Sequence, residues 1–383
     1  MGFAGTKHYE AAIQGDVFEV VAICDMNQER LRTYQESVGI DCYVNANDLL
    51  NNKNVEIVII ATPHNTHLEL VKQALDKGKK VLLEKPLAHT SVAAKEIVEL
   101  SRKHPTKIGV NMTHRFRLPV QKGKELIAQN KIGQVKKVTD TSIVSIFKED
   151  LSEDFWLKDI SGGGVDYTNG IHLLDRILFV LKSPKYNDYS LFYEYISGTA
   201  NNKNHRQEVN DEAKINIKIH GAQTDINALF DLRWLNKNLH SMERNKDIIE
   251  IEGERGKIII NVLTGLVEVI KDDKTVESYP TYDSENVDKF FDALKKVHRG
   301  FCRMAFNLDF STIPTPAPEE LEHIHEIMEA HQNYVKSHQI SYVREVKDFC
   351  WKNRPFFFAG MTAIITVAAA SYYLQESPNS PSQ

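Results

Sequence analysis

The sequence predicts an α/β protein in two parts, an N-terminal parallel sheet and a C-terminal α+β region with a large, open, mostly antiparallel sheet. Three observations lead to this fold class. Strand-type and helix-type segments alternate over the first third of the chain, whereas strand-type segments dominate the middle. The 383 residues are 42% hydrophobic and 26% charged, which is the balance of a globular protein and excludes a disordered or fibrous chain.

The N-terminal part is placed at residues 1–117. About 10–15 residues of helical pattern separate its apolar runs, which indicates βαβ units around a parallel sheet. Ligands of such sheets bind at the carboxyl ends of the strands, so we expect the chemistry in the loops that follow them. The predicted elements are the strand Phe18–Ile23, the helix Asn27–Ser37, the strand Val55–Ala61, the helix Thr66–Lys77, the strand Val81–Leu83, the helix Ser91–Lys103 and the strand Lys107–Asn111.

The second part is placed at residues 118–343, where strand-type segments follow one another with few helices between them. This order is typical of an α+β domain. The predicted strands are Val135–Ile146, Ala213–Ile219, Asp225–Leu232, Asp247–Glu252 and Lys257–Ile260, and the predicted helices are Asn286–Val297 and Pro318–Ser337.

The first residues carry half of a phosphate-binding fingerprint. The run Gly2-Phe3-Ala4-Gly5 supplies a G-x-x-G, which ordinary turns also contain. Asp25 lies 20 residues after Gly5, where a carboxylate can bind ribose hydroxyls. The first fingerprint glycine and the strand before it are missing. We therefore expect either that the protein begins upstream of Met1 or that its nucleotide site is damaged.

Three further segments carry candidate chemistry. Thr62-Pro63 follows a predicted strand and leads to His67, so this segment is either a turn with a helix cap or a cofactor contact. Glu84-Lys85-Pro86 follows the next strand, where a lysine can bind a substrate hydroxyl or lie in a solvated turn. The Lys85–Pro86 bond can be cis. Three glycines at 162–164 precede a helical pattern that contains His172, which is either structural or catalytic.

Together these segments resemble the glucose–fructose oxidoreductase / inositol dehydrogenase (Gfo/Idh/MocA) family over roughly residues 2–340. The motifs that carry the resemblance are G-x-x-G with His8, Asp25, T-P-x-x-x-H, E-K-P, N-x-x-x-R-F and G-G-G…G-x-H-x-x-D. The resemblance implies a Rossmann domain, a C-terminal α/β domain and a nicotinamide cofactor. It also implies hydride transfer between that cofactor and a CH–OH group of a sugar, polyol or sugar derivative.

The resemblance implies roles for individual residues. Lys85 matches the lysine that contacts substrate and nicotinamide, and His172 matches the general acid/base. Thr168 stands where the family often has Asp, which leaves the usual proton arrangement open. Arg115 either contacts substrate or braces the domain junction. The predicted substrate contacts are Arg115, Thr168, Asn169 and His172, and the predicted cofactor contacts are Gly2, Phe3, Ala4, Gly5, Asp25, Thr62, Pro63, His67, Glu84 and Lys85.

The cofactor and the class of protein each leave one alternative. Asp25 favours NAD, because its charge would repel a 2′-phosphate, whereas the nearby Arg30 makes NADP the alternative. The alternative to an enzyme is a non-catalytic nucleotide- or sugar-binding member that acts as a regulator or scaffold. The missing strand and Thr168 favour that alternative. A homo-oligomer is expected by analogy with relatives that pair through the open sheet.

Composition excludes several other partners. The net charge of −5 shows no basic excess, so nucleic acid is not expected as a partner. The four cysteines are scattered without a C-x-x-C pair, so neither a metal site nor a disulfide scaffold is predicted. The chain opens without a signal-peptide pattern, and we expect a reducing, cytoplasmic environment for the enzyme body.

The C-terminal residues predict a membrane anchor. A basic linker at 344–354 precedes 20 uncharged residues at 355–374, and a polar tail follows at 375–383. Twenty helical residues span about 30 Å, the thickness of a bilayer core. Lys and Arg lie only on the N-terminal side, which would keep the enzyme body in the cytoplasm. The alternative is an extra helix that docks on this chain or on a partner subunit.

Overall fold

Five short parallel strands form the N-terminal part, and they belong to two separate sheets. The computed structural model describes residues 2–35, 40–146, 164–181, 191–199, 212–220, 225–236, 245–282, 289–306, 315–322 and 324–326. One sheet pairs β1 (Ala22–Cys24) with β2 (Asp41–Tyr43). The other contains β3 (Ile57–Ile60), β4 (Lys80–Glu84) and β5 (Ile108–Asn111) in that order. Within the described ranges no strand joins β1 to β3.

Helices follow these strands as the sequence pattern predicts. They are α1 (Phe3–Ile13), α2 (Gln28–Gln35), α3 (Ala46–Asn51), α4 (His67–Asp76) and α5 (Ser91–Lys103). The helix α5 has the predicted bounds, and Thr90 caps it by accepting a hydrogen bond from the Ala93 N–H. The strand predicted at Phe18–Ile23 is shorter, because β1 pairs only with the three residues of β2. The strand β2 and the helices α1 and α3 have no counterpart among the predicted elements.

The C-terminal part is an eight-stranded, mostly antiparallel sheet, which confirms the predicted fold class. Its strand order is β13-β12-β11-β10-β6-β9-β8-β7, and the β6–β9 pair is parallel. Inward-facing residues alternate along the strands, as in Ile249 and Ile251, which are fully buried. The strands are β6 (Val135–Ile146), β7 (Leu191–Thr199), β8 (Glu212–His220), β9 (Asp225–Asn236), β10 (Lys246–Gly253), β11 (Gly256–Asn261), β12 (Leu266–Lys271) and β13 (Val276–Pro280).

Three further helices follow in the chain: α6 (Leu118–Ala128), α7 (Gly164–Leu181) and α8 (Lys289–Phe306). The helix α8 packs against the N-terminal part, where Phe301 joins a buried cluster with Leu82 of β4 and Phe116. A Cβ atom on Gly109 of β5 would lie 2.6 Å from Phe301, so glycine permits this close approach. The predicted helix Asn286–Val297 is described from Lys289 and extends nine residues further than predicted, because its apolar face covers β5.

Two predictions about the C-terminal end lie partly or wholly outside the described residues. The helix predicted at Pro318–Ser337 begins as a short 3-10 turn, Pro318–Leu321, and residues 327–337 lie outside the description. The candidate membrane segment 355–374, with its flanks 344–354 and 375–383, also lies outside it. Among the residues that the structure describes, no helix combines the length and apolar character that a membrane span requires.

Candidate active site

The N-terminus of α1 lies at the carboxyl edge of the parallel strands, because His8 of α1 contacts Glu84 at the end of β4 with 2.9 Å between His8 Nε2 and Glu84 Oε1. Gly2 is the extended N-cap residue of α1, and no side chain caps the helix. A Cβ atom on Gly2 would meet nothing within 4 Å, so there is open space in front of this turn. The predicted Gly2–Gly5 run therefore forms the first turn of a helix with uncapped N–H groups, which favour an anion.

Other predicted cofactor contacts also lie just after parallel strands. Asp25 follows β1, and its side chain accepts a hydrogen bond from the Asn27 N–H at 2.9 Å. Thr62 and Pro63 follow β3 and are exposed. They belong to a turn in which the Thr62 and Thr66 hydroxyls lie 2.7 Å apart, and the Thr66 hydroxyl donates to the Pro63 carbonyl at 2.7 Å. The turn alternative is thus observed, and it leaves both residues open to a ligand.

Lys85 and His172 come together although they belong to different parts of the chain. Lys85 follows β4, where the Lys85–Pro86 bond is cis. Its Nζ donates a hydrogen bond to the Thr168 carbonyl of α7 at 2.9 Å. Thr168 lies one helical turn before His172, so the ammonium is held beside the imidazole. Asn169, the next predicted substrate contact, is half-buried on the same turn of α7.

His172 is a neutral imidazole, and its Nδ1 has no partner in the part of the chain that the structure describes. Its ring stacks on His114, with ring centres 4.3 Å apart and planes 8° from parallel. Among the described residues, no group forms a hydrogen bond with the buried Nδ1. Burial holds the pKa of His172 well below 6.5, and the positive charges of Lys85, Arg117 and Arg176 lower it further. The ring is therefore in its basic form at neutral pH.

A buried arginine, Arg176, forms a hydrogen bond with the His114 ring. Arg176 is fully buried and donates from Nη1 to His114 Nδ1 at 3.2 Å, which places the proton of neutral His114 on Nε2. The guanidinium also donates from Nε to Asp140 at 2.8 Å and from Nη1 to Asp247 at 2.6 Å. Burial raises the pKa of Asp140 to about 6, although Arg176 opposes this shift. The arrangement fixes the ring on which His172 stacks.

Sequence reasoning missed this support. The available signal was in β6, where Val138, Asp140 and Ser142 alternate on the buried face. A carboxylate at an inward position requires a buried cation. Only the sheet shows that this cation is Arg176.

Arg115 is held by carboxylates on two sides. It donates from Nε to Asp175 of α7 at 3.0 Å and from Nη1 to Glu320 at 2.9 Å. These charges raise the pKa of Arg115 against the effect of burial, so the guanidinium stays charged. Arg115 was expected either to contact substrate or to brace the domain junction. Its contacts favour the structural role, because they connect the turn after β5 to α7 and to the 318–321 turn.

Glu84 is likewise engaged inside the protein. Its Oε1 contacts His8 at 2.9 Å and accepts from Asn111 Nδ2 at 2.5 Å, and its Oε2 accepts from the Lys85 N–H at 3.1 Å. His8 lowers the pKa of Glu84 although burial opposes the shift, so the group is a carboxylate. These contacts place Glu84 behind Lys85 rather than at the predicted cofactor contact.

The ring of His67 also contacts backbone carbonyl groups. Its ring is fully buried, with Nδ1 3.0 Å from the Pro86 carbonyl and Nε2 3.0 Å from the Thr62 carbonyl. The ring ties the end of β3 to the segment that carries Lys85. Neither nitrogen is left for the predicted cofactor contact, because both face carbonyl oxygens.

Hydrogen bonds with His325 and Tyr167 fix the segment that follows Lys85. These two residues were not predicted from the sequence. The Leu87 N–H donates to His325 Nε2 at 3.0 Å, so His325 carries its proton on Nδ1. That nitrogen lies 3.0 Å from the Tyr167 hydroxyl, which donates to the Ala88 carbonyl at 2.7 Å. Burial lowers the pKa of His325 to about 3, so the ring stays neutral and the hydrogen bonds persist. Tyr167 and Thr168 are adjacent in α7. This turn therefore contacts Lys85 through the Thr168 carbonyl and Ala88 through the Tyr167 hydroxyl.

Known oxidoreductases resemble this chain in sequence and in fold. An oxidoreductase of Formosa agariphila is 27% identical over 287 residues, which is 70% of this chain and 79% of that protein. The D-glucoside 3-dehydrogenase of Escherichia coli is 28% identical over 167 residues, 43% of this chain and 47% of the relative. A crystal structure of an oxidoreductase from Agrobacterium radiobacter, in complex with NAD+, L-tartaric acid and magnesium, has the same fold. It is 19% identical with a TM-score of 0.70, and the match covers 88% of this chain and 94% of that one.

Two family profiles match most of the chain. Residues 1–112 match the profile described as "Oxidoreductase family, NAD-binding Rossmann fold". Residues 124–314 match the profile described as "Oxidoreductase family, C-terminal alpha/beta domain". Together with the fold and the meeting of Lys85 and His172, these matches show that the chain belongs to the Gfo/Idh/MocA family of oxidoreductases.

Proposed function

We propose that this chain is an NAD-dependent dehydrogenase, with NADP as the alternative cofactor, that oxidises a CH–OH group of a sugar, polyol or sugar derivative. One observation carries the proposal. The Lys85 ammonium is held at 2.9 Å from the Thr168 carbonyl, one helical turn from the neutral base His172. Family membership, a glucoside dehydrogenase among the relatives and a structural neighbour with bound NAD+ support it.

The residues around this pair fit a nicotinamide cofactor. The uncapped first turn of α1 and the open space at Gly2 suit phosphate groups, and the Asp25 carboxylate suits ribose hydroxyls. Two buried polar atoms, His172 Nδ1 and Asn111 Oδ1, have no hydrogen-bond partner among the described residues. Such atoms require a ligand or water. Bound there, NAD+ would supply the acceptor for the hydride.

The chain's own residues would manage the proton and the charge. His172 accepts the hydroxyl proton, because burial and the neighbouring positive charges keep its ring in the basic form. Lys85 has two N–H donors beyond the one that binds the Thr168 carbonyl, and it donates one to the same substrate oxygen. As the C–H electron pair leaves as hydride, the developing negative charge on oxygen is thus neutralised and a carbonyl forms. Proton transfer by a positioned base contributes about 10²–10⁴-fold.

Absorbance at 340 nm tests the proposal in a screen of sugars, polyols and their derivatives with NAD+ and NADP+. Lys85→Met and His172→Asn should abolish turnover and leave the dissociation constant for NAD+ within about threefold of the wild type. Lys77→Met is the matched control, since Lys77 is an exposed lysine after α4. Turnover that survives in either site variant would contradict the assigned roles.

A nucleotide-binding member without turnover is the second candidate. One observation favours it: Thr168 stands in place of the expected carboxylate. NAD+ binding to the full-length chain without any absorbance change across the screen would select this candidate.

We further propose that residues 355–374 anchor the protein in a membrane, with a docked helix as the alternative. The support is the length of the uncharged run and the basic residues on its N-terminal side. After expression of the full chain and of a form truncated after residue 343, carbonate extraction should leave only the full chain in the membrane pellet. A full chain that carbonate releases would contradict the anchor.

A further inference from the structure

Three arginines lie in the turn after β5, at the start of α6 and in α7, and among the described residues two of them have carboxylate partners. Arg115 binds Asp175 and Glu320, and Arg176 binds Asp140 and Asp247. The third is Arg117. Its Nε is buried, and no oxygen of the described residues accepts a hydrogen bond from it.

Arg117 belongs to the turn that carries the stacked imidazole. It follows the 3-10 turn Thr113–Phe116 and is the N-cap residue of α6, and its N–H donates to the His114 carbonyl at 3.3 Å. The His114 ring lies 4.3 Å from that of His172. The charge of Arg117 acts on both rings and lowers the pKa of each. The guanidinium therefore lies close to the proposed reaction centre.

The charge of Asp247 acts on Arg117 but does not neutralise it. Asp247 acts on it at a distance, but the carboxylate already accepts a hydrogen bond from Arg176 at 2.6 Å. Burial lowers the pKa of Arg117, because a desolvated cation without an anion is unfavourable. A guanidinium binds carboxylates through two parallel N–H groups, so this arrangement calls for an anion supplied by a ligand.

We propose that Arg117 binds a carboxylate of the substrate, so that the preferred substrates are polyhydroxy acids such as sugar acids rather than neutral sugars. This inference rests on the proposed function, since it assigns the substrate class of the same site. A carboxylate brings one negative charge for Arg117, which has no carboxylate partner among the described residues. A phosphate ester would bring nearly two, and the ammonium of Lys85, which donates to the Thr168 carbonyl, is assigned by the proposed function to the reacting oxygen.

Direct binding tests the inference without relying on turnover. Isothermal titration calorimetry on the full chain with NADH would compare aldonates with the polyols and the sugar phosphates of the same carbon skeleton. We expect the wild type to bind the acids most tightly. Arg117→Met should weaken the acids about 10–100-fold, Arg117→Lys should weaken them less, and the neutral polyols should change by less than about threefold.

Two controls show that the effect arises at the site. Arg102→Met removes an exposed arginine on α5 and should leave all affinities unchanged. Arg117 has a buried donor without a protein partner, so the melting temperature of Arg117→Met without ligand should equal or exceed that of the wild type. The affinity for NADH should also stay constant, because the cofactor is not the proposed anion.

The outcomes separate this inference from the proposed function. Neutral sugars that are turned over, bind better than the acids and ignore Arg117→Met would overturn the inference and leave the dehydrogenase standing. Acids that bind in an Arg117-dependent way without any turnover would support the inference and contradict the dehydrogenase. Preference for phosphate esters, weaker NADH binding in Arg117→Met, or no binding of any acid would each overturn the inference.

Discussion

Replacement of Arg176 by methionine probes the buried support of the active site. The change leaves Asp140, which is 0% exposed, and Asp247, which is 7% exposed, without their shared cation. Loss of one partner of a buried ion pair costs about 3–5 kcal/mol. The cost should depend on pH, because the pKa of Asp140 is already about 6 beside Arg176 and rises further without it. Each unit by which the pKa of Asp140 rises adds about 1.4 kcal/mol to the loss of stability at pH values above that pKa. At pH values below the pKa it adds nothing.

Urea unfolding followed by circular dichroism at pH 8 and pH 5 measures this cost. We expect Arg176→Met to lower the free energy of unfolding by about 3–5 kcal/mol at pH 8 and by clearly less at pH 5. Arg102→Met, which removes an exposed ion pair, should stay within about 0.5 kcal/mol of the wild type at both pH values. A triple variant that also carries Asp140→Asn and Asp247→Asn should recover much of the loss. A cost below about 1 kcal/mol at pH 8, or an equal cost at both pH values, would refute the reasoning.

Three further predictions concern the imidazole pair. Because the pKa of His172 lies well below 6.5, kcat/KM for the proposed dehydrogenase should stay constant as pH falls from 8 to 6.5 and decline only below that value, and a decline that begins above 6.5 would contradict a neutral, depressed base. His114→Ala removes the stacked ring and the acceptor for Arg176, so kcat should fall about 10–100-fold, whereas His114→Phe keeps an aromatic ring and should retain more of it; an unchanged kcat in His114→Ala would show that the stack does not position the base. Thr168→Asp places a carboxylate one turn before His172, which should raise the pKa of His172 by about 1–3 units in an NMR titration, and a pKa that does not move would place the new carboxylate out of reach.

Much of the secondary structure could be predicted from local signals. The helix α5 (Ser91–Lys103) and the strand β6 (Val135–Ile146) have the predicted bounds. The first has a threonine cap and a regular apolar face, and the second has a long run of strand-type residues. Short elements were missed, because three residues of β2 carry too little pattern to be recognised without the strand that pairs with them.

For the candidate active site, too, local sequence signals revealed one part and tertiary packing determined the rest. The sequence by itself determined the chemistry that was available: an ammonium after one strand, an imidazole on a helix, and the order of motifs that reveals the family. It did not determine the partners of Arg115, Arg117 and Arg176, although their residue types are plain.

Only the tertiary structure decided which of these cations are neutralised. The carboxylates that bind Arg176 come from β6 and β10, and one of those that bind Arg115 comes from the turn at 318–321. Electrostatic interactions depend on distance and on the exclusion of water, and both are set by the packing of segments far apart in the chain. For that reason the motif pair Lys85 and His172 was visible in the sequence, whereas the unpaired guanidinium beside it was not.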